Sequence, residues 1–247
     1  MKYGILSDVH SNLEAFHAAL DCLQKQGAER YIFCGDLIGY GPDPQACIEQ
    51  YLQLANAGKA ISVLGNHDAL FFHPQLREYF HPAALCVLDW SQPLLSQAAL
   101  QSISCFPEMI QKERFAVVHG TPRDPLKEYL LEHQQYRDIY NEWQGEVLFV
   151  GHTHIPFFMT GNSAFCQSVA AVEDTCVDIQ PMFRYVINPG SVGKPRDSDA
   201  RACFGLWDDQ ENKFYFLRAA YDFTQTQQKM RDAHLPELLI QGLTWGI

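Results

Sequence analysis

The chain has 247 residues, 47% of them hydrophobic and 19% charged, which is ordinary for a folded soluble protein. No segment approaches the roughly 18 consecutive apolar residues of a membrane span, so no membrane association is expected. The net charge of −11 and the lack of any Lys/Arg cluster argue against a partner that is long nucleic acid.

The N-terminus and the cysteines bear on location and chemistry. Residues 1–8 lead directly into a strand pattern, without the apolar run and cleavage site of a secretory signal. A cytoplasmic location is therefore expected. The eight cysteines occur singly, with no Cys-x-x-Cys pair, and we expect buried thiols that take no part in the chemistry.

The first two-thirds of the chain alternates short apolar runs with helical patterns. Helices are predicted at 13–25 and 44–55, where apolar residues recur at helical spacing. The order strand, helix, strand implies a largely parallel sheet built from βαβ units. Its predicted strands are 3–7, 31–34, 60–64, 115–118 and 147–150.

After Gly151 the pattern becomes a series of short strands and turns, which predicts a second sheet packed on the first. A hairpin is predicted across 208–212, and a C-terminal helix at about 222–232. Residues 71–111 look helical and are predicted to form a cap over the site. The predicted strands are 156–160, 184–187, 202–207 and 214–218.

Three polar motifs follow the first three predicted strands. Asp8 and His10 are separated by one residue, so in an extended segment both side chains point the same way. Asp36 lies among glycines in the segment 35–41, and its two carboxylate oxygens suit a bridge between two cations. The third motif is 65–68, Gly-Asn-His-Asp. Taken singly, the first and third are explained equally well by ordinary turns.

Two further motifs follow the fourth and fifth strands. His119 precedes Gly120, and His152 and His154 again lie one residue apart. Imidazole binds Zn, Fe, Mn and Ni, whereas carboxylates favour the harder of these ions. All five motifs lie at the carboxyl ends of predicted strands, where open α/β sheets place their sites. Together they predict a metal site.

In this order the motifs resemble the calcineurin-like metallophosphoesterases, whose pattern is Asp-x-His, Gly-Asp, Gly-Asn-His-Asp/Glu, a further His and Gly-His-x-His. Segments 39–44, 119–124 and 188–193 are similar to the small bacterial and archaeal, phosphodiesterase-like branch, and the resemblance covers roughly residues 1–207. It implies an α/β fold, a four-layer α-β-β-α sandwich with two packed mixed sheets and helices outside. We expect one domain, 1–247, with the helical cap at about 71–111.

The resemblance also implies roles for individual residues. Two divalent or trivalent transition-metal ions (Mn, Fe, Ni or Zn) would be present, with Asp36 bridging them. His67 resembles the residue that stabilises the transition state or protonates the leaving oxygen. Asp68 would orient that imidazole, or would equally well cap the turn. The implied ligands are Asp8, His10 and His154 for one metal, and Asn66, His119 and His152 for the other.

One departure concerns phosphate binding. Phosphoprotein phosphatases of this family have Asp-Arg after the bridging Asp, whereas this chain has Gly39 and Tyr40. Without that bidentate clamp a protein phosphatase is less expected. Arg123 or Arg196 would contact the substrate instead, unless they are surface groups or structural ion-pair partners.

The resulting functional hypothesis is a phosphodiesterase that acts on a small soluble phosphate ester or nucleotide, with a metal-bridging hydroxide as the nucleophile. The alternatives are a phosphomonoesterase or protein phosphatase and a non-catalytic metal-binding scaffold of the same fold. Phosphodiesters are favoured because the branch tends that way and the phosphate-clamping Arg is missing. The substrate, the native metals and the oligomeric state are left open.

Overall fold

The computed structural model describes all residues from Met1 to Ile247. Short 3₁₀ segments at Pro74–Tyr79 and Gln92–Leu94 accompany the regular elements. The strands are β1 (Lys2–Leu6), β2 (Arg30–Phe33), β3 (Ala60–Ser62), β4 (Met109–Gln111), β5 (Phe115–Val118), β6 (Val147–Phe149), β7 (Phe157–Gly161), β8 (Cys166–Ala170), β9 (Cys176–Asp178), β10 (Arg184–Asn188), β11 (Ala202–Asp208) and β12 (Lys213–Ala219). The helices are α1 (Leu13–Lys25), α2 (Pro44–Asn56), α3 (Asn66–Ala69), α4 (Pro82–Ser91), α5 (Gln97–Ser104), α6 (His133–Ile139), α7 (Phe223–Asp232) and α8 (Glu237–Trp245).

The strands form two six-stranded mixed sheets. The first has the order β3-β2-β1-β11-β12-β9, and the second has the order β4-β5-β6-β10-β7-β8. Parallel pairing joins β1, β2 and β3 in the first sheet and β5, β6 and β10 in the second. The remaining pairs are antiparallel, including β1 with β11, in which Gly4 pairs with Leu206.

Alternation of side chains along the strands produces the layers. Ile5 lies in the core between the two sheets, whereas its neighbour Leu6 packs on the other face with residues of α1 and α2. In the second sheet, Val117 faces the inter-sheet core and Val118 packs with Tyr136 of α6. Because successive strand residues point to opposite faces, each sheet is covered on both sides. The predicted four-layer sandwich is confirmed.

Helix α1 begins directly after the first polar motif. The Asn12 side chain accepts a hydrogen bond from the Ala15 N–H at 3.2 Å and so caps the helix. Ala15, Phe16, Ala19 and Leu23 form its buried face, at the spacing of an amphipathic helix. The chain between β1 and α1 is therefore held at both ends, and this segment contains Asp8 and His10.

The assignment of strands to sheets differs from the prediction. Strands β5 and β6 were expected beside β1–β3 but belong to the second sheet, whereas β11 and β12 were expected in the second sheet but complete the first. An apolar run identifies a buried strand without identifying its partner, because partners are set by long-range packing. The hairpin of β11 and β12 is present, with Asp208 paired to Lys213.

The segment 71–111 is mostly helical, with α4, α5 and the two 3₁₀ turns, but its last residues differ from the prediction. Met109–Gln111 form β4, which pairs antiparallel with β5. Leu76, Leu88 and Ile103 are buried in the same core as α1 and α2. Most of the segment thus packs beside the first sheet.

The structure also bears on the predictions made for the cysteines and for a membrane span. All eight cysteines are free thiols; four are buried, but Cys86, Cys105 and Cys176 are exposed, so the prediction of buried thiols is wrong for these three. None of the helices combines the length and apolarity needed to cross a bilayer.

Candidate metal centre

The carboxyl ends of strands from both sheets meet at one edge of the sandwich. Asp8 follows β1, Asp36 follows β2, and Asn66 follows β3; His119 and His152 follow β5 and β6. The predicted ligands therefore converge from five strand ends. All but Asn66 are buried.

Many of these residues have a left-handed backbone, which is uncommon for residues other than glycine. Non-glycine residues in this region are concentrated at functional sites, where the surrounding fold maintains the strain. The φ angles are 53° at Asp8, 48° at His10, 54° at Asp36, 68° at His152 and 61° at His154.

One group of ligand atoms comes from Asp8, His10 and His154. Asp8 Oδ1 lies 3.7 Å from His10 Nε2 and 3.3 Å from His154 Nε2. The two imidazole nitrogens are 3.1 Å apart. Asp8 Oδ1 is buried and has no hydrogen-bond partner. A buried carboxylate oxygen without a donor, facing two imidazole nitrogens, fits a bound cation.

A second group comes from Asn66, His119 and His152. His119 Nε2 lies 3.0 Å from Asn66 Oδ1 and 3.1 Å from His152 Nδ1. Asp36 Oδ2 lies between the two groups, 3.4 Å from His119 Nε2 and 3.6 Å from His10 Nε2. Asp36 is therefore placed to contact ions in both groups.

The imidazole nitrogens that face away from the centre are hydrogen-bonded to backbone carbonyls. Since a carbonyl can only accept, each of these nitrogens carries a proton, and the nitrogen on the other side of the ring is the one that would bind a metal. The donors and acceptors are His10 Nδ1 to Ile38 O at 3.1 Å, His119 Nδ1 to Cys34 O at 2.8 Å, His154 Nδ1 to Lys194 O at 2.6 Å and His152 Nε2 to Lys127 O at 3.3 Å.

The protonation states also suit metal binding. Burial alone would raise the pKa of the Asp8 and Asp36 carboxyls, but the adjacent imidazoles hold both pKa values well below their usual range. Burial lowers the pKa of His152 to about 3, and it also lowers the pKa of His10 and His154. At neutral pH these carboxylates are ionised and these imidazoles are neutral, as metal ligation requires.

His119 differs from the other ligands. Burial is the largest single influence and lowers its pKa, but Asp36, Asp8 and the Cys34 carbonyl together outweigh burial and raise the pKa to about 9. In the metal-free protein at neutral pH, His119 is therefore protonated and forms an ion pair with Asp36. A metal would replace that proton.

His67 lies against the first group of ligands. Its side chain is 4% exposed, and its ring centroid is 4.7 Å from that of His10 and 4.9 Å from that of Phe80. A Cβ on Gly39, where φ is +105°, would lie 2.3 Å from His67 Nδ1, so only glycine fits there. His67 is also close enough to His10 and Asp36 to be a ligand itself.

The carboxylate of Asp68 is bonded to backbone N–H groups, and no hydrogen bond joins it to the imidazole of His67. The donors are the N–H groups of Leu37, Ile38 and Gly65, at 3.1–3.2 Å. His67 Nδ1 has no partner. Burial and the neighbouring Asp36 raise the pKa of Asp68 to about 7. Asp68 thus joins the loops after β2 and β3, which contain Asp36 and Asn66.

The two candidate substrate-binding arginines have different surroundings. Arg123 is 48% exposed and forms ion pairs with Glu128 and Asp138, which matches the alternative of a structural ion-pair partner. Arg196 donates to the Tyr40 hydroxyl at 3.2 Å, and its backbone N–H donates to His154 O. Of the two, Arg196 is the one beside the metal ligands.

Two aromatic residues lie beside the ligands, and of these only Tyr40 was named from the sequence, without a role. Tyr129 stacks on His152, with ring centroids 3.8 Å apart and an angle of 13° between the planes. Tyr40 lies 4.6 Å from His10 and 4.5 Å from His67 between ring centroids. Tyr40 belongs to the glycine-rich segment after β2, which was a usable signal, whereas no motif marks Tyr129.

Comparison with known proteins identifies the family. The model of the calcineurin-like phosphoesterase superfamily domain matches residues 1–212. The chain is 30% identical to the uncharacterised protein MJ0912 of Methanocaldococcus jannaschii, covering 98% of this chain and 97% of that one. It is 25% identical to phosphodiesterase YfcE of Escherichia coli, covering 85% and 88% of the two chains.

A solved structure supports the same assignment. The metallophosphoesterase from Sphaerobacter thermophilus superimposes with a TM-score of 0.87 at 34% identity, covering 100% of this chain and 99% of that one. The chain thus belongs to the calcineurin-like phosphoesterase superfamily, a metal-dependent family.

Proposed function

We propose that this protein is a dinuclear metal-dependent phosphodiesterase acting on a small soluble phosphate ester such as a nucleotide. The observation that carries the proposal is the position of Asp36 Oδ2, which lies within 3.6 Å of imidazole nitrogens from two separate ligand groups. A single carboxylate placed between two sets of donors is the arrangement that a pair of ions requires.

The residues present fit two ions of Mn, Fe, Ni or Zn, because imidazole and carboxylate ligands suit all four. When bound, two ions would supply positive charge to the phosphoryl oxygens and make a water molecule acidic enough to act as the nucleophile. Asp8, His10 and His154 would hold one ion, Asn66, His119 and His152 the other, and Asp36 both.

His67 would act on the leaving group. Burial lowers its pKa to about 4, so the free protein contains a neutral imidazole at pH 7. An anionic phosphate beside it favours the protonated form and raises that pKa. Protonation would thus accompany substrate binding and supply the proton that the leaving oxygen needs. Arg196, held by Tyr40, would contact a phosphate oxygen.

The preference for a diester rests on the charges that surround the ligands. Arg123 is engaged by two carboxylates, so Arg196 alone would provide a guanidinium. A phosphodiester has one negative charge and a monoester close to two. The diester therefore needs fewer positive side chains to balance its charge. The 25% identical relative YfcE is named as a phosphodiesterase.

Metal-stripped protein supplied with Mn²⁺ is expected to hydrolyse bis(p-nitrophenyl) phosphate faster than p-nitrophenyl phosphate. The release of p-nitrophenol measures both reactions, and stripped protein without added metal is the control. Faster hydrolysis of the monoester would identify a phosphomonoesterase. No hydrolysis of either ester with Mn²⁺, Ni²⁺, Fe²⁺ or Zn²⁺ would identify a non-catalytic scaffold.

A further inference from the structure

A cavity of about 460 Å³ opens at the edge of the sandwich opposite the metal centre. It is lined by the first residues of parallel strands, including Tyr3, Arg30, Ala60 and Phe115. At ~3.3 Å per strand residue, Tyr3 lies about 10 Å along β1 from Leu6, and Asp8 follows two residues after Leu6. The volume is in the range of small-molecule sites, about 300–1,000 Å³.

The inner wall of the cavity is aromatic and aliphatic, because it is the end of the core between the two sheets. Trp207 is stacked with Tyr3 at 5.3 Å and meets Phe115 edge-on at 5.5 Å between ring centroids. Ile32 and Ile61 line the same space. Aromatic side chains in the wall favour an aromatic ring, which packs on them by offset or edge-to-face contact.

The mouth of the cavity is basic, although the chain has a net charge of −11. Arg30, Lys59 and Lys112 line it, are exposed and form no ion pair with a carboxylate. The two lining acids are Glu113 and Asp209, and Asp209 is already paired with the N-terminal amine at 2.5 Å. Unpaired positive groups around a low-dielectric cleft attract anions.

We propose that this cavity binds a small organic anion that has a flat aromatic body. The body packs on the cavity side of Tyr3 and Phe115, and the anionic group faces Arg30, Lys59 and Lys112. The site is separate from the metal centre and does not depend on the proposed phosphodiesterase function.

A matched pair of fluorescent probes tests the proposal with the intact protein. The anionic probe is 1-anilinonaphthalene-8-sulfonate, and its neutral counterpart is N-phenyl-1-naphthylamine, which has the same rings without the sulfonate. The anionic probe is expected to bind at one saturable site, about tenfold more tightly than the neutral one. In a crystal soaked with the anionic probe, the rings should lie against Tyr3.

Charge reversals at the mouth locate the site. Lys59→Glu and Lys112→Glu should each weaken binding of the anionic probe about fivefold and leave the neutral probe unaffected. Lys25→Glu, a reversal at an exposed lysine that does not line the cavity, should leave both unchanged. Equal binding of the two probes, or anionic binding that neither reversal weakens, would overturn the proposal, as would rings bound elsewhere in the crystal.

Discussion

Replacing Asp36 with asparagine is expected to abolish metal-dependent hydrolysis and to weaken the binding of both ions together. Asp36 Oδ2 lies 3.4 Å from His119 Nε2 and 3.6 Å from His10 Nε2, between the two ligand groups. Asp36 Oδ1 accepts a hydrogen bond from the backbone N–H of His67 at 2.9 Å. Asparagine keeps an oxygen that can accept this bond, so the fold is retained. It loses the negative charge that two cations would share.

Metal content after dialysis against Mn²⁺ measures this effect. Asp36→Asn should reduce the affinity for each ion by at least about 100-fold. Loss of a residue that only hydrogen-bonds a metal ligand already lowers metal affinity about 10- to 100-fold. Asp89→Asn is the matched control, because Asp89 is an exposed carboxylate that pairs with Arg77 and belongs to neither ligand group. Loss of a single ion with retention of the other would show that Asp36 is no bridge.

Replacing His67 with alanine is expected to lower kcat by about 10²–10⁴-fold while both ions remain bound. No backbone carbonyl engages His67 Nδ1, in contrast to the outward nitrogens of the four histidine ligands. Its proposed role is to transfer a proton to the leaving oxygen. Turnover of a substrate with a poor leaving group should therefore fall more than that of a nitrophenyl ester.

The measurement for His67→Ala combines steady-state kinetics with metal content. Free imidazole should restore part of the activity, because it can occupy the space left beside His10 and Tyr40. His17→Ala, at an exposed position of α1, should behave as the wild type. If His67→Ala loses an ion, His67 is a ligand, as its proximity to Asp36 also allows.

The fold class and the gathering of the ligands could be predicted because local patterns determine them. Asp8, Asp36 and His119 each follow an apolar run, and strand ends that share one edge bring such residues together. The partition of strands between sheets could not be predicted. It depends on pairings such as Gly4 with Leu206, which are more than 200 residues apart.

Roles that depend on side-chain direction were also beyond sequence reasoning. Asp68 lies next to His67 in the chain, yet its carboxylate binds backbone amides of the loop after β2. Arg123 and Arg196 were equal candidates until Glu128 and Asp138 were seen to engage the former. Neighbours in sequence need not be partners in space, and only tertiary packing decides between such alternatives.

The presence of two bridged ions is tested most directly by anomalous diffraction from crystals of the Mn²⁺-bound protein. Two peaks are predicted, about 3.5–4 Å apart. One should lie beside His10 and His154, the other beside His119 and His152, and both should contact Asp36. A single peak, or peaks away from Asp36, would contradict the dinuclear centre.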